Sequence, residues 1–437
     1  MTSSATPTLP GARDTMGPQA LTILVAKIAA MFAGYLFIMG LARGLSTESF
    51  GQVAFFMTSA PLVGAFAGLG YPLAVLRLTP RLLASGQEDQ AAHLFRRSSR
   101  TVVGFATVVA AIHSCILVGL LHLGVFPGFE FAAAICGSAL IPLWALSELT
   151  SHGLRARQRM LLAFLPRDVL WKLAASAVLL GLSVAGFVIG AGAWLGFLCF
   201  LLALVTALQF RAIPAPKRSF AEARPSLPDT RPFWLSNTAA MMLSQLDILL
   251  VAAVLGAGPA GQYFVANRLA QALAIFQTAG NQALAPAIAR EHSRQHGAIA
   301  HLTRKNARQV TLPTALSSAI LLVFAPYVLG LFGSEHMSSV SILLPLVLAA
   351  FLNAASGSGD IALLMSDHQK EASRVSGAVL FVAPVVMLPC LFWGGPIGLA
   401  WSSLFLTALR KWILWRIAYA RFGERIDMFS GLVSARP

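Results

Sequence analysis

The residues of this chain that could do chemistry are polar and ionisable side chains set inside long apolar runs. In FWLSNTAAMMLSQLDILLVAAVLG, residues 233–256, Asn237, Ser244 and Asp247 are spaced 7 and then 3 apart, so they share one helical face. The following run carries Asn267, Gln271, Thr278 and Gln282 at +4, +11 and +15 from the first, with Arg268 beside them. Lys27 lies in the first apolar run, and Asn353, Gly357 and Asp360, spaced 4 and 3, lie in a later one. A charge in hydrocarbon is costly, so such side chains face a hydrated or paired interior and mark an ion or substrate path. The stripes predict a polar cavity lined by Lys27, Asn237, Asp247, Asn267, Arg268, Gln271 and Asp360.

Asp247 admits two readings. It is a mobile counter-charge, or it is a static partner of Lys27 or Arg268 that ties helices together. Other polar residues read as structural: Glu148 as interfacial, His113 and His122 as packed, and the EHSRQH stretch (291–296) as a solvated face. No GxxxxGK[ST], GxSxG or Cys-x-x-Cys pattern occurs. The sequence therefore reads as a non-enzyme with no catalytic residues, no metal site and no cofactor.

Such stripes need a membrane scaffold. Of 437 residues, 57% are hydrophobic and only 11% charged, with a mean hydropathy of +0.73; soluble domains carry roughly 25% charged residues. Runs of ~20 apolar residues, enough to cross ~30 Å of hydrocarbon, recur from Leu21 to Ala418. Strand-like alternation is absent, which opposes a barrel. Twelve spans are expected, at about 21–42, 52–76, 101–122, 131–153, 168–188, 190–210, 233–256, 262–289, 311–332, 339–366, 376–393 and 396–417. The first 20 residues are polar and lack a cleavable leader's features.

Charge assigns the sides. Of 32 Lys and Arg, only Lys27, Arg43 and Arg268 are expected within spans or on the far side; the other 29 share a side with the N-terminus. Positive loops stay cytoplasmic, so both termini are expected inside. The net charge of +15 is then a topology signal and not a sign of nucleic-acid binding; anionic membrane lipids are a secondary partner. Cys115, Cys136, Cys199 and Cys390 all fall inside spans, which supports neither a disulfide framework nor zinc.

The expected organisation is a polar tail (1–20), a six-helix lobe (21–210), a Pro- and charge-rich linker (211–232), a second six-helix lobe (233–417) and a tail (418–437). Gly51-Gln52 matches Gly261-Gln262 at an offset of 210, Lys27 matches Asn237 at the same offset, and Arg96-Arg97 matches Arg304-Lys305 at 208. Repeated halves with a site at their interface are a common transporter plan. The expected fold is an all-α integral membrane protein with a central cavity between two repeat-related lobes.

At LARGLSTESFGQ, then LGYPLAVLRLTPRLLASGQ, LRARQRMLLAFLPRD and LDILLVAAVLGAGPAGQYFVANRLA, the chain resembles the polysaccharide transporter (oligosaccharide flippase) branch of the multidrug/oligosaccharidyl-lipid/polysaccharide (MOP) exporter superfamily. The likeness runs over about 20–420. Ser46-Thr47 replaces the branch's usual Gly-Pro, and Asn267 replaces a small residue before Arg268. The resemblance implies a flippase that moves a polyprenyl-diphosphate-linked oligosaccharide from the cytoplasmic to the periplasmic leaflet of the inner membrane. Lys27 and Arg268 would meet the anionic headgroup. Asp247 would pair with a cation, or bind a proton, in one state of an alternating-access cycle. H+ or Na+ as coupling ion, and a polysaccharide polymerase, are the further partners implied. Two other readings stay open: a drug/cation antiporter of the same superfamily, and a membrane-embedded glycan polymerase or ligase. A lipid II flippase fits less well, because twelve spans are expected instead of fourteen.

Overall fold

Lipid offers a peptide group no hydrogen-bond partner, so each spanning segment must satisfy its own backbone, and a helix does so. The computed structural model describes residues 18–124, 128–216, 230–281, 284, 288, 299–365, 368–423 and 426–427, and their regular structure is helical throughout. The side chains of Lys27 and Asn237, together with Gln282 and the EHSRQH stretch, lie outside the described residues.

The first half contains α1 (Pro18–Gly44), α2 (Thr47–Ala67), α3 (Tyr71–Ala84), α4 (Glu88–His122), α5 (Phe131–Ala156), α6 (Met160–Phe164), α7 (Trp171–Val184) and α8 (Ala191–Arg211). A π-helical turn, Leu165–Leu170, joins α6 to α7. The second half contains α9 (Arg231–Leu255), α10 (Ala257–Ala272) with further helix over 274–281, α11 (Ile299–Val323), α12 (Ala325–Gly330), α13 (Val340–Ala355), α14 (Gly359–Met365) and α15 (Gln369–Phe422). Among the described residues six helices are long and apolar enough to cross a membrane: Thr47–Ala67, Glu88–His122, Phe131–Ala156, Ala191–Arg211, Ser334–Ala355 and Lys370–Phe422. Shorter apolar helices run over Ile28–Gly44 and Ser244–Leu255.

One boundary departs from the expected spans and another falls where it was expected, each for an identifiable reason. The run expected over 52–76 ends at Ala67, and α3 starts afresh with Pro72 in its first turn. Arg77 and Arg81 are exposed while Tyr71, Ala74 and Val75 are buried. This short helix is therefore divided into a charged outer side and an apolar side turned to the bundle. At the other end, α15 is two helices joined at Gly395, where φ is 58° and ψ is −151°, between the spans expected over 376–393 and 396–417. That conformation suits glycine. It folds the chain back so sharply that a Cβ on Gly398 would lie 2.2 Å from the carbonyl oxygen of Cys390.

Packing centres on α2, which contacts α5 in its own half and α9 and α10 in the other. Ser46 caps the helix: its Oγ accepts the Ser49 N–H at 3.2 Å, the function that the Ser-Thr departure from the family pattern supplies locally. The repeated Gly-Gln pair then shows its purpose. A Cβ on Gly51 would sit 1.7 Å from the Ala257 carbonyl oxygen, and one on Gly261 would sit 3.3 Å from the Gly51 Cα. The two repeat-related glycines thus face each other where α2 crosses α10. Gln52 donates to the Gly128 carbonyl (2.7 Å) and accepts the Glu130 N–H (3.0 Å), so it pins the turn before α5. Arg43 Nε donates to the Leu331 carbonyl at 2.7 Å, and Phe50 stands edge-on to His336 at 5.5 Å. These contacts bind the halves together at one end of the bundle. At the other end Trp234 Nε1 donates to the Phe66 carbonyl at 2.7 Å.

Gly51→Ala has no room at this crossing and should lower stability by about 1–3 kcal/mol, the usual range for overpacking. Gly104→Ala, where a Cβ meets nothing within 4 Å, should be neutral or stabilising by up to about 1 kcal/mol, the helix-propensity difference. Thermal unfolding of the two purified variants in one detergent provides the comparison; equal midpoints would refute the close crossing.

Candidate functional site

Between the contacts at the two ends lies a cavity of about 550 Å³. Its walls come from α1, α2, α5, α7, α9, α10 and the 274–281 helix. Most of the lining is apolar or aromatic: Tyr35, Phe37, Trp144, Trp171, Phe264 and neighbouring aliphatic residues. Its charged lining residues are Lys172 and Arg268, and no Asp or Glu lines it among the described residues. Each cation comes from a different half, and together they give one water-accessible space a positive lining.

Local structure aims both of them. Arg268 lies on α10 with its guanidinium 4.9 Å from the Phe264 ring centroid, and its Nη1 donates to Gln271 Oε1 at 3.1 Å. Tyr35 donates its hydroxyl to the Arg268 carbonyl at 2.8 Å, tying α1 to α10. Lys172 follows the π-helical turn. π-turns are rare, occur as single turns and recur at functional sites. Here the turn is held by Arg167, which forms an ion pair with Glu148 of α5, while Trp171 Nε1 donates to the Arg167 carbonyl. His152 Nδ1 lies 3.4 Å from Glu148 Oε1. Glu148 is therefore a partner in a charge cluster between α5 and the π-turn.

A second cavity, of about 450 Å³, lies in the second half among α9, α10, α13 and α15. Gln245, Gln271 and Ala274 line both cavities and so form the wall between them. Asp247 belongs to the second. Its Oδ2 accepts the Tyr263 hydroxyl at 3.0 Å and the Asn267 Nδ2 at 3.4 Å, and its Oδ1 accepts the Ile248 N–H at 2.9 Å. Asn267 Oδ1 in turn accepts from Gln271 Nε2 at 3.3 Å. A continuous chain therefore runs Tyr263–Asp247–Asn267–Gln271–Arg268. Among the described residues Asp247 forms no ion pair with Arg268; two amides stand between the charges.

Four of the residues expected to share one site are thus linked: Asp247, Asn267, Gln271 and Arg268. The fifth with a described side chain, Asp360, is apart from them. It starts α14 and pairs with Lys411 (3.5 Å) and Arg410 (3.7 Å) of α15, so it does not line the central cavity. Three cations escaped the sequence reading: Lys172, Arg410 and Lys411. Charge pattern places Lys172 among the 29 positives that share a side with the N-terminus. The helical register that turns it inward is set by a π-turn that periodicity does not reveal. For Arg410-Lys411 a signal was present: they fall inside the span expected over 396–417.

The fold and its cation-lined interior define an all-α multi-pass membrane protein built around internal cavities. Residues 18–292 match the sequence model for "Polysaccharide biosynthesis protein", and the chain belongs to that family. No curated protein matches it in sequence. In fold it is similar to the inward-facing conformation of a multidrug resistance MATE family transporter of the MOP superfamily, with a TM-score of 0.69 and 14% identity over 94% of this chain and 100% of that one. It is likewise similar to lipid II flippase MurJ in an inward closed conformation, with a TM-score of 0.70 and 13% identity over 94% and 91% of the two chains. The outward-facing conformation of a multidrug resistance MATE family transporter gives 0.54 at 12% identity over 93% and 95%. The fold is similar to that of these transporters, and the family match agrees with the resemblance carried by the residue patterns.

Among the described residues neutral donors, not a cation, hold Asp247, and this makes its two readings separable. Asp247→Asn strands no partner charge among the described residues and should stay within about 1 kcal/mol of wild type, since only a modest net hydrogen-bond term changes. A static ion pair would instead cost about 3–5 kcal/mol on losing one member. Tyr263→Phe, which keeps the fully buried ring but removes a donor from a carboxylate, should cost about 1–3 kcal/mol. Unfolding midpoints and detergent-solubilised yields of the two variants test both values; a collapsed Asp247→Asn yield would restore the static pair.

Proposed function

We infer that this protein moves a polyprenyl-diphosphate-linked oligosaccharide across the membrane, from the cytoplasmic to the periplasmic leaflet, for surface-polysaccharide assembly. The observation that carries the reading is the lining of the larger cavity: Lys172 and Arg268 without an acid among the described lining residues. A diphosphate is the part of such a substrate that most needs help in leaving water. Two cations, one from each half, offer it charge-assisted contacts. The same lining disfavours a drug/cation antiporter, whose cargo would meet like charge. Family membership supports the polysaccharide role, and the fold supports transport over covalent chemistry on the glycan.

Alternating access follows from how the halves are joined. The segments 21–210 and 233–417 act as two lobes that rock about the cavity, with 211–232 as their connection. Contacts of Arg43 with Leu331, of Phe50 with His336 and of Gly51 with Ala257 close one end. The higher TM-score against the inward-facing MATE structure, 0.69 against 0.54 for the outward-facing one, supports reading the closed end as the periplasmic one. Opening that end requires releasing these contacts and closing the opposite one, a change between two discrete packings. Asp247 is a counter-charge in this cycle: anion entry or departure at Arg268 reorders the amide chain that connects them.

Lys172→Gln and Arg268→Gln should each fail to restore surface polysaccharide to a deletion strain at wild-type protein levels, with lipid-linked oligosaccharide retained on the cytoplasmic leaflet; normal export by both variants would overturn the reading. Lys27→Gln belongs in the same series. The topology has its own check. Tags placed at Met1, near Ser219 and at Pro437 should all report the cytoplasm, because the positive loops gather there, and a periplasmic signal at 219 would refute the two-lobe arrangement.

A further inference from the structure

The second cavity has a charge pattern that transport of a diphosphate leaves unexplained. Arg410 and Lys411 both line it, and both pair with the single carboxylate of Asp360 at 3.7 and 3.5 Å. Within this cluster two cations face one acid, an excess of one positive charge at the Arg410–Lys411 end of the cavity, away from Asp247. Lys411 is only 3% exposed. Uncompensated charge in such a setting is expensive unless a counter-ion or water meets it. The acid that lines the same cavity, Asp247, is already held by Tyr263 and Asn267. Arg410 Nε and Gln245 Oε1 are shut off from solvent and have no hydrogen-bond partner among the described residues. The remaining polar lining consists of amides and hydroxyls, from Asn267, Gln271, Asn353, Ser403 and Thr407. Aliphatic surfaces of Leu346, Val379 and Leu406 face them. Amides and hydroxyls over apolar patches complement the alternating polar edges and C–H faces of a sugar, and the volume is that of a small-ligand site.

We propose that this cavity is a glycan subsite whose Arg410–Lys411 end takes a carboxylate-bearing sugar, so that the protein prefers acidic over neutral oligosaccharides. The proposal rests on the transport reading above for its physiological setting. The shared wall of Gln245, Gln271 and Ala274 places the subsite next to the Lys172–Arg268 cavity, where the diphosphate of the same molecule would sit. The sugar carboxylate shares the two cations with Asp360 and supplies the missing negative charge. It is a specificity element: a neutral glycan leaves the excess charge unmet, and a site whose polar groups go unpaired discriminates strongly.

The test uses the full chain in detergent micelles and two unconjugated probes, an alternating glucuronate/N-acetylglucosamine tetrasaccharide and the all-N-acetylglucosamine tetrasaccharide, with binding read by calorimetry. The acidic probe should bind about tenfold more tightly, the equivalent of one charge-assisted contact. Arg410→Gln should abolish that preference, so that the two probes bind alike. Asp360→Asn, which frees the second cation, should strengthen acidic binding; a merely structural Asp360–Lys411 pair predicts no gain. Equal binding of both probes to wild type, or an undiminished preference in Arg410→Gln, would overturn the proposal. So would displacement of the acidic probe by equimolar inorganic phosphate, since the site would then be a simple anion site and not a glycan subsite. Farnesyl diphosphate, measured in parallel, should lose affinity in Lys172→Gln and keep it in Arg410→Gln. Absence of farnesyl diphosphate binding would count against the transport reading and leave the glycan result standing.

Discussion

The cost of holding charge inside a hydrocarbon-embedded bundle governs this structure. Each ionic group in the interior must be met by another charge, by amides or by a hydrated cavity, and the protein uses all three. Glu148 and Arg167 pair directly. Asp247 is met by a hydroxyl, an amide and a backbone N–H. Lys172 and Arg268 face a cavity. Only the last solution leaves cations without an ion pair among the described residues, and on the proposed reading these, more than the buried acid, set what the interior accepts.

The scaffold follows from that requirement. A cavity of about 550 Å³ between helices has to be bracketed by places where helices touch closely. Gly51 provides one, because the missing Cβ lets the α2 backbone reach the Ala257 carbonyl. Small residues at helix crossings are the general means of bringing backbones together in membranes. Its neighbour Gln52 ties down the 128–130 turn, so two adjacent residues of the repeated motif serve packing and loop anchoring at once. The rigid crossing and the open cavity are complementary parts of one arrangement.

The two adjoining cavities also divide labour by chemistry. The larger is mostly apolar with two cations; the smaller is rich in amides and hydroxyls and carries the Arg410–Lys411–Asp360 cluster. The chain from Tyr263 through Asp247, Asn267 and Gln271 to Arg268 passes through the wall between them. Arg268 and Asp247 are thus joined by shared hydrogen bonds without a direct ion pair among the described residues.

Much of this was legible in the amino-acid order. Apolar run length determined that the protein is a helical membrane protein, because a bilayer admits few other backbones. Helical spacing grouped Asp247 with its stripe, and an adjacent run supplied Asn267, Arg268 and Gln271, because residues 3, 4 or 7 apart must share a face. The 210-residue offset exposed the Gly-Gln repeat. Tertiary structure alone decided which charges meet. Asp360 has the same spacing signature as the cavity residues, yet it pairs with Arg410 and Lys411, some fifty residues along the chain. Lys172 looks like a loop-side positive until a π-turn, stabilised by Glu148 from another helix, rotates it into the cavity. Periodicity reports the face of a helix on which a residue lies. It cannot report what stands opposite that face, because the distance between two charges depends on how separate helices pack.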